Sequence, residues 1–280
     1  MLHPQTTLNC NGQLLDLTDP IVMGILNVTP DSFYDGGKYE NENVMLQQVE
    51  QMISDGASII DVGGMSSRPG AEIIDEAEEL LRVLPIIEKI KQKFPQTIIS
   101  IDTVRSAVAI KSIKAGASII NDISAGSIDE NMFPTVAKLG VPYILMHMQG
   151  KPKDMQQNPD YQDVAIEVLD FFIKKVGELR ALGVKDIILD PGFGFGKTIE
   201  HNYHLLKKIT IFKILDLSLL IGISRKSMIY KVLNNSPQDA LNGTTVLNTM
   251  ALERGAKILR VHDVKEAMET IILWKQLKAI

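Results

Sequence analysis

The chain has 280 residues, 45% of them hydrophobic, and a formal net charge of −5. This length suits one barrel of about 250 residues, although two smaller domains would also fit it. The negative charge argues against a nucleic-acid partner, which needs a dense basic face. The single cysteine, Cys10, excludes an intrachain disulfide and a cysteine-based zinc cluster. Without a secretion signal or an apolar run of about 20 residues, we expect a soluble, cytoplasmic protein without a membrane partner.

A hairpin opens the chain, and eight short apolar runs follow it. Residues 8–17 form the predicted β-hairpin, since Asn11-Gly12 is a dipeptide that tight turns favour; it would plug the bottom of a barrel. In chain order the apolar runs are 21–27, 58–63, 97–102, 118–123, 142–147, 186–190, 218–224 and 257–261. None of them alternates with polar residues, which is typical of strands buried on both faces.

Amphipathic helical patterns lie between these runs. One places Leu80, Leu81, Leu84, Ile87 and Ile90 on a single apolar stripe, with a kink expected at Pro85. Strands alternating with helices predict a parallel sheet, and eight such units predict an α/β fold of the (β/α)₈ TIM-barrel type with an N-terminal β-hairpin. The competing fold is a doubly wound open sheet, but its G-x-G-x-x-G fingerprint and a break between halves are missing. We therefore predict a single barrel domain over residues 1–280.

A polar residue ends every predicted strand. These residues are Asn27, Asp61, Asp102, Asn121 with Asp122, His147, Asp190, Ser224 with Arg225, and Arg260 with His262. In a barrel the carboxyl ends of the strands converge on one face, where active sites are built. Any one of these residues is equally well explained as a cap or turn former, and we assign that role to Asp61 and Asp122. His147 could bind a metal, but a hydrogen-bonded strand-end histidine is the better interpretation.

Glycine-rich loops follow three of the strands. The loops GILNVTPDSFYDGGKY (24–39) and DVGGMSSRPGA (61–71) exceed a simple turn, which predicts mobile elements that close over a substrate. In the second loop Arg68 would clamp an oxyanion, or it is simply a solvated charge. The loop DPGFGFGKT after Asp190 is not a phosphate-binding Walker motif, because Pro191 stands where the first glycine is needed. Its glycines allow close backbone approach, and Phe193 or Phe195 would offer a stacking face.

Three cationic residues complete the predicted mouth. Lys226, in SRKSM, would point into it beside a helix start whose free N–H groups suit a carboxylate or phosphate. Arg260 and His262 stand two residues apart in an extended segment, which predicts a compact cationic pair on one face. Carboxylates and amides suit an amino-substituted, guanidine-like ring, and the cations suit a phosphate or diphosphate. The residues therefore predict a polar small molecule that carries a phosphate-like anion.

Eight motifs in combination resemble those of the bacterial dihydropteroate synthases over essentially the whole chain. They are GILNVTPDSF, GASIIDVGG with SRPGA, SIDT, GASIINDIS, LMHMQG, DIILDPGFGFGK, SRKSM and ILRVHDV. The resemblance implies the same barrel, usually as a homodimer, that binds a pterin as its hydroxymethyl diphosphate. It implies that this substrate is joined to p-aminobenzoate with release of diphosphate, on the route to folate. It also implies inhibition by sulfonamides, which mimic the arylamine.

The resemblance assigns roles to individual residues. For the pterin it implies Asp102, Asn121, Met146, Asp190, Phe195, Lys226 and Arg260, and for the diphosphate Asn27, Ser67, Arg68, Arg260 and His262. For p-aminobenzoate it implies Pro30, Phe33 and Ser227, and as catalytic residues Asp102, Lys226, Arg260 and His262. Asn27 would also bind Mg²⁺ together with the diphosphate.

Two other functions share this barrel. A pterin-binding methyltransferase domain, which passes a methyl group to a corrinoid protein, has no need of an anion clamp from Arg68, Arg260 and His262. A catalytically idle paralogue that only binds a pterin should have lost Asn27 or parts of the first two loops, and these are intact. Both rank behind the synthase.

Overall fold

The computed structural model describes residues 6–28, 38–65, 74–150, 155 and 159–279. Strands β1 (Thr7–Cys10) and β2 (Gln13–Asp16) pair antiparallel as the opening hairpin. Asn11 and Gly12 make its turn with φ of 54° and 91°. These angles lie in the left-handed region that Asn and Gly tolerate best, so the predicted hairpin is confirmed.

Eight parallel strands close into a barrel within the described residues. They are β3 (Ile21–Asn27), β4 (Ile59–Gly63), β5 (Ile98–Asp102), β6 (Ile119–Asp122), β7 (Tyr143–Met146), β8 (Ile187–Asp190), β9 (Ser218–Ile221) and β10 (Ile258–Val261). Each strand pairs with the next along the chain, and β10 closes the barrel on β3. The predicted TIM barrel is confirmed, and the doubly wound sheet is excluded. Several apolar runs continue past their strands: Ile223 is buried although β9 ends at Ile221.

Helices surround the barrel and connect its strands. They are α1 (Lys38–Ser54), α2 (Glu76–Lys93), α3 (Ser106–Ala115), α4 (Met132–Leu139), α5 (Val164–Ala181), α6 (Ile199–Lys208), α7 (Ser227–Tyr230), α8 (Leu241–Glu253) and α9 (Val264–Lys278). In the part of the chain that the structure describes, 3₁₀ helices lie at Ile209–Leu215 and Pro237–Asp239. Within the described ranges, no helix combines the length and apolar character that a membrane crossing requires.

Helix α2 differs from its prediction in the face that it buries. The helix runs through Pro85, and its buried apolar residues are Val83, Ile86, Ile87 and Ile90. Leu81, predicted on the apolar stripe, is 68% exposed. The helix packs against α1 and α3 as well as against the barrel, so its orientation depends on neighbours that the periodicity of one segment does not contain.

Inside the barrel, inward-pointing side chains form an apolar layer near the amino ends of the strands and a polar layer near their carboxyl ends. Leu8, Cys10, Leu15 and Leu17 of the opening segment pack with inward residues near the amino ends of the barrel strands: Met23, Ile59, Ile98, Ile119, Ile144, Ile188, Leu220 and Ile258. The hairpin thus closes this end of the barrel, as predicted. Residues two apart in a strand share a face, so Asp61 lies above Ile59 and Asn121 above Ile119. The polar site therefore rests on a closed apolar floor.

Candidate active site

Arg260 lies at the centre of the barrel mouth between two carboxylates. Its Nε donates to Oδ2 of Asp61 at 2.7 Å, and its Nη2 donates to Oδ2 of Asp102 at 2.8 Å. Strands β10, β4 and β5 point these three side chains inward. Burial opposes the charge, but the two carboxylates hold the pKa of Arg260 above its ordinary value. The mouth therefore contains a permanent cation.

Of the two acids that pair with Arg260, Asp102 is the more exposed: its side chain is 12% exposed and that of Asp61 is fully buried. Burial raises the pKa of Asp102, Arg260 offsets part of that rise, and the carboxylates of Asp61 and Glu79 add to it. Its charged form consequently depends on nearby hydrogen-bond donors. A ligand that presents N–H groups to this carboxylate would stabilise the charged form.

Asp61 belongs to the site rather than to a turn, so the structural role predicted for it is wrong. Besides the guanidinium of Arg260, its Oδ2 accepts from Nδ2 of Asn121 at 3.1 Å. Its Oδ1 is buried and has no hydrogen-bond partner among the described residues. Asp122 is structural as predicted, because it accepts from the Tyr143 hydroxyl at 2.7 Å and from the Ser124 backbone N–H at 2.7 Å.

Asp190 and Lys226 form another wall of the mouth. Oδ1 of Asp190 accepts from the N–H of Gly192 at 2.8 Å, and burial raises the pKa of this acid. The ammonium group of Lys226 donates to the carbonyl of Phe193 and lies 4.7 Å from the centre of the Phe195 ring. Burial lowers the pKa of Lys226 to about 8 although Asp190 opposes the shift. Lys226 is therefore mostly charged at pH 7.

Apolar side chains border this polar floor. Met146 and Phe195, both predicted to contact a pterin, share one buried cluster. The other members are Val104, Ile123 and Met155, with Met65 and Met148 packed against them. The mouth thus offers an apolar surface next to carboxylates and amides, the combination that binds a flat, polar ring.

His262 follows β10 and contributes less charge than predicted. Its Nδ1 lies 3.1 Å from Oγ of Ser224. Burial, and next the charge of Arg260, lower the pKa of His262 to about 4, so the imidazole is neutral at pH 7. Of the two residues predicted to form a cationic pair, only Arg260 is therefore charged at pH 7. Arg225 is directed away from the mouth, where it pairs with both oxygens of Asp263 at 2.8 Å.

His147 is a hydrogen-bonded strand-end histidine, as predicted. Its Nδ1 lies 2.9 Å from Nζ of Lys197, which also donates to the carbonyls of Gly192 at 3.0 Å and Phe195 at 3.1 Å. Burial lowers the pKa of Lys197 to about 7. The sequence interpretation missed Lys197, since a lysine in a glycine-rich loop normally indicates a solvated charge. The only signal is its place directly before Thr198, the N-cap of α6.

The remaining predicted residues lie at the edge of the mouth or outside the described ranges. Asn27 ends β3 and is exposed, and Ser227 begins α7 directly after Lys226. A Cβ on Gly63 would lie 3.9 Å from Oδ1 of Asn27 and 3.7 Å from Oδ2 of Asp102, so these two oxygens flank the same glycine. Pro30, Phe33, Ser67 and Arg68 lie outside the described residues, and their roles stay predictions.

The described residues fit a shared magnesium site better than an all-protein one. Among them, no group of three or more His, Cys, Asp or Glu side chains is arranged to hold a metal. Mg²⁺, however, usually keeps several waters and binds through one or two protein oxygens plus substrate phosphates. The exposed amide oxygen of Asn27 at the mouth suits that role.

Comparison with known proteins agrees with this geometry. A family model described as pterin binding enzyme matches residues 23–262. The dihydropteroate synthase of Escherichia coli K12 is 47% identical over 262 residues, 93% of this chain and 92% of that protein. A Yersinia pestis dihydropteroate synthase in a sulfonamide drug complex has a TM-score of 0.92 and 44% identity, covering 98% of this chain and 100% of that one. The Xanthomonas albilineans enzyme with 4-aminobenzoic acid has a TM-score of 0.92 and 36% identity, covering 98% and 99%.

The barrel and its mouth define an enzyme that binds a small polar ring at the carboxyl ends of its strands. The matched residues include every inward-pointing residue of that mouth from Asp61 to Arg260. The chain belongs to the pterin binding enzymes and, among them, to the dihydropteroate synthases.

Proposed function

We propose that the chain joins 6-hydroxymethyl-7,8-dihydropterin diphosphate to p-aminobenzoate, yielding 7,8-dihydropteroate and diphosphate for folate biosynthesis in the cytoplasm. The observation that carries the proposal is the position of Arg260 between Asp61 and Asp102, with Asp190 and Lys226 on another wall. This set combines buried acceptors for ring N–H groups with two cations for an anion.

The pterin ring would lie on the floor of the mouth. Asp102 and Asp190 would accept hydrogen bonds from its amino and ring N–H groups, and the Asn121 amide would complete the set. Met146 and Phe195 would contact the ring in their shared apolar cluster. This arrangement would place the exocyclic CH₂ towards the open end, where the second substrate would enter.

The reaction replaces a C–O bond by a C–N bond. The C–O bond to the diphosphate breaks, and its electron pair leaves with the diphosphate while the electron-rich dihydropterin carries the positive charge at the CH₂ group. The lone pair of the unprotonated arylamine then forms the C–N bond, and the amine proton passes to water. No strong general base is needed because an arylamine is already neutral at pH 7.

The cationic side of the mouth would lower the barrier to diphosphate departure. Arg260 and His262, with Ser67 and Arg68, would stabilise the negative charge that builds on the leaving oxygens. Asn27 would hold Mg²⁺ together with diphosphate oxygens, and that ion would supply further charge neutralisation. Pro30, Phe33 and Ser227 would bind p-aminobenzoate, so sulfonamides should compete with this substrate.

Diphosphate release by the purified chain tests the proposal. The assay supplies the dihydropterin diphosphate and Mg²⁺, with and without p-aminobenzoate, and identifies dihydropteroate by mass. Turnover that requires p-aminobenzoate supports the synthase. Pterin binding without any turnover would favour the idle paralogue, or a methyltransferase that lacks its corrinoid partner.

We also propose that the chain acts as one barrel domain and as a homodimer. The outer helices α8 and α9 carry five exposed apolar side chains: Val246, Met250, Ile272, Leu273 and Leu277. Of these, Leu273 and Leu277 line a groove between the two helices, together with Trp274. An exposed apolar patch of this kind is typical of a protein–protein contact, and a second copy of the chain would cover it symmetrically.

A further inference from the structure

Lys197 is buried in a cage of acceptors next to the mouth. It is 3% exposed, although lysine is seldom buried without partners. Its Nζ lies within 3.1 Å of Nδ1 of His147 and of the carbonyl oxygens of Gly192 and Phe195. Two of these acceptors belong to its own loop, and His147 belongs to the loop after β7. One ammonium group thus joins two neighbouring loops of the barrel mouth.

The cage also determines the state of the His147 ring. Burial, and next the neighbouring Lys197, hold the pKa of His147 well below its ordinary value, so the ring is neutral. A charged Lys197 has only N–H donors, so Nδ1 of His147 accepts from it and the proton of the neutral ring lies on Nε2. The tautomer of His147 is therefore a direct report of the contact with Lys197.

The loop carbonyls held by Lys197 belong to residues that act on the site. The N–H of Gly192 orients Asp190 by donating to its Oδ1 at 2.8 Å. Phe195 presents its ring to Lys226 at 4.7 Å and packs with Met146. When Lys197 holds the carbonyls of Gly192 and Phe195, it therefore fixes the Asp190 carboxylate and the Phe195 ring on the pterin side of the mouth.

We propose that Lys197 is a positioning residue of the pterin site, which ties residues 191–196 to His147 and so sets the Asp190 carboxylate and the Phe195 ring. This inference rests on the proposed function. Lys197 does not line the polar floor itself, and it acts through the loop.

Other contacts keep the outer side of this loop in place when Lys197 is changed. The amide of Asn202 accepts from the Gly194 N–H at 2.7 Å, and the Tyr161 hydroxyl donates to the Gly196 carbonyl at 2.8 Å. A Lys197→Met variant keeps these contacts and the apolar stem of the side chain. It removes only the ammonium group, which leaves the two inner carbonyls without their donor.

The test compares Lys197→Met with Lys207→Met, an exposed lysine on α6. We expect Lys197→Met to raise the KM for the dihydropterin diphosphate at least about tenfold, since losing a positioning contact commonly costs one to two orders of magnitude. The KM for p-aminobenzoate at saturating pterin, and the affinity for inorganic diphosphate, should stay within about twofold. Lys207→Met should match the unmodified protein throughout.

Equal weakening of all three ligands, or unchanged pterin KM in a folded Lys197→Met variant, would overturn the inference. Ring ¹⁵N spectra of His147 in the unmodified protein test the Lys197–His147 contact, on which the inference depends, independently of whether the variant folds. A proton on Nε2 at pH 6, where Lys197 is mostly charged, supports the contact, and a proton on Nδ1 at that pH contradicts it. If the unmodified protein shows no turnover dependent on p-aminobenzoate, the proposed function has failed, whereas the His147 tautomer still reports on the cage.

Discussion

The buried charges at the barrel mouth neutralise one another in a small group of ion pairs. Among the residues that the structure describes, Arg260 bridges Asp61 and Asp102, and its side chain is 17% exposed. Removing one partner of a buried ion pair leaves the other partner uncompensated, which commonly costs about 3–5 kcal/mol. Substitutions here therefore need to keep the shape of the side chain while they change its charge.

Asp102→Asn keeps the shape and removes the charge. We expect dihydropteroate formation to fall at least about 100-fold, because the amide neither neutralises Arg260 nor accepts from N–H donors as strongly as the carboxylate does. Product formation at saturating substrates measures this effect. Asp170→Asn, an exposed position on α5, is the control. Turnover within threefold of the unmodified protein for Asp102→Asn would show that this carboxylate is dispensable.

The pH dependence of pterin use should report Lys226. Burial lowers the pKa of this lysine from 10.5 to about 8, so the charge present at pH 7 is lost as pH rises through 8. We expect kcat/KM for the dihydropterin diphosphate to decline across that range and the decline to be absent in Lys226→Met. Burial lowers the pKa of His262 to about 4, so this residue does not contribute to the limb. The Lys226→Met comparison separates Lys226 from Lys197, whose pKa burial lowers to about 7. A limb that persists in Lys226→Met would assign it to another group.

Among the secondary-structure elements, the hairpin contributes stability rather than chemistry. Leu8 on β1 is fully buried against the barrel floor, whereas Leu14 on β2 is 73% exposed. Leu8→Ala should lower the free energy of unfolding by about 3 kcal/mol, and Leu14→Ala by less than about 0.5 kcal/mol. Urea unfolding followed by circular dichroism measures both. Equal effects would mean that the hairpin does not seal the barrel.

The loop after β8 depends on glycine at a close approach between two loops. Gly192 has φ of +68°, and a Cβ there would overlap the carbonyl oxygen of His147. Gly140 has φ of +66°, but no atom lies within 4 Å of such a Cβ. An alanine at this control position therefore shows the energetic cost of the positive φ alone, without a steric overlap. Gly192→Ala should abolish pterin binding measured by calorimetry. Gly140→Ala should lower stability by about 1 kcal/mol and leave binding intact. Equal binding by both variants would contradict the role of this contact.

At the scale of the whole molecule, the proposed homodimer makes a prediction about α9. Leu273 is 72% exposed in the groove between α8 and α9. If a second copy covers this groove, Leu273→Glu buries an unpaired charge in the contact and should convert the dimer to a monomer. Sedimentation velocity measures the change. Leu81→Glu, at an equally exposed leucine on α2, should leave the dimer unchanged. A monomeric unmodified protein would refute the proposed assembly.

Most of the architecture could be predicted from local patterns. Eight runs without alternation indicated strands buried on both faces, and Asn11-Gly12 indicated the hairpin. The strand boundaries were less predictable, because Ile223 is buried outside the hydrogen-bonded ladder of β9. The buried face of α2 was predicted only in part, since helices packed on both sides bury residues that a single stripe does not include.

The sequence by itself determined the eight strand–helix units, the opening hairpin and the polar ends of the strands, because each depends on residues a few positions apart. Only the tertiary structure decided which of those ends meet. Arg260 pairs with Asp61, which is 199 residues away in the chain, and with Asp102, which is 158 residues away. Asp122 instead accepts hydrogen bonds within a turn, and Arg225 pairs with an acid outside the mouth. It likewise decided that Lys197 is buried, since its acceptors come from two different loops. Partners this distant in the chain are set by barrel closure, which no local pattern encodes.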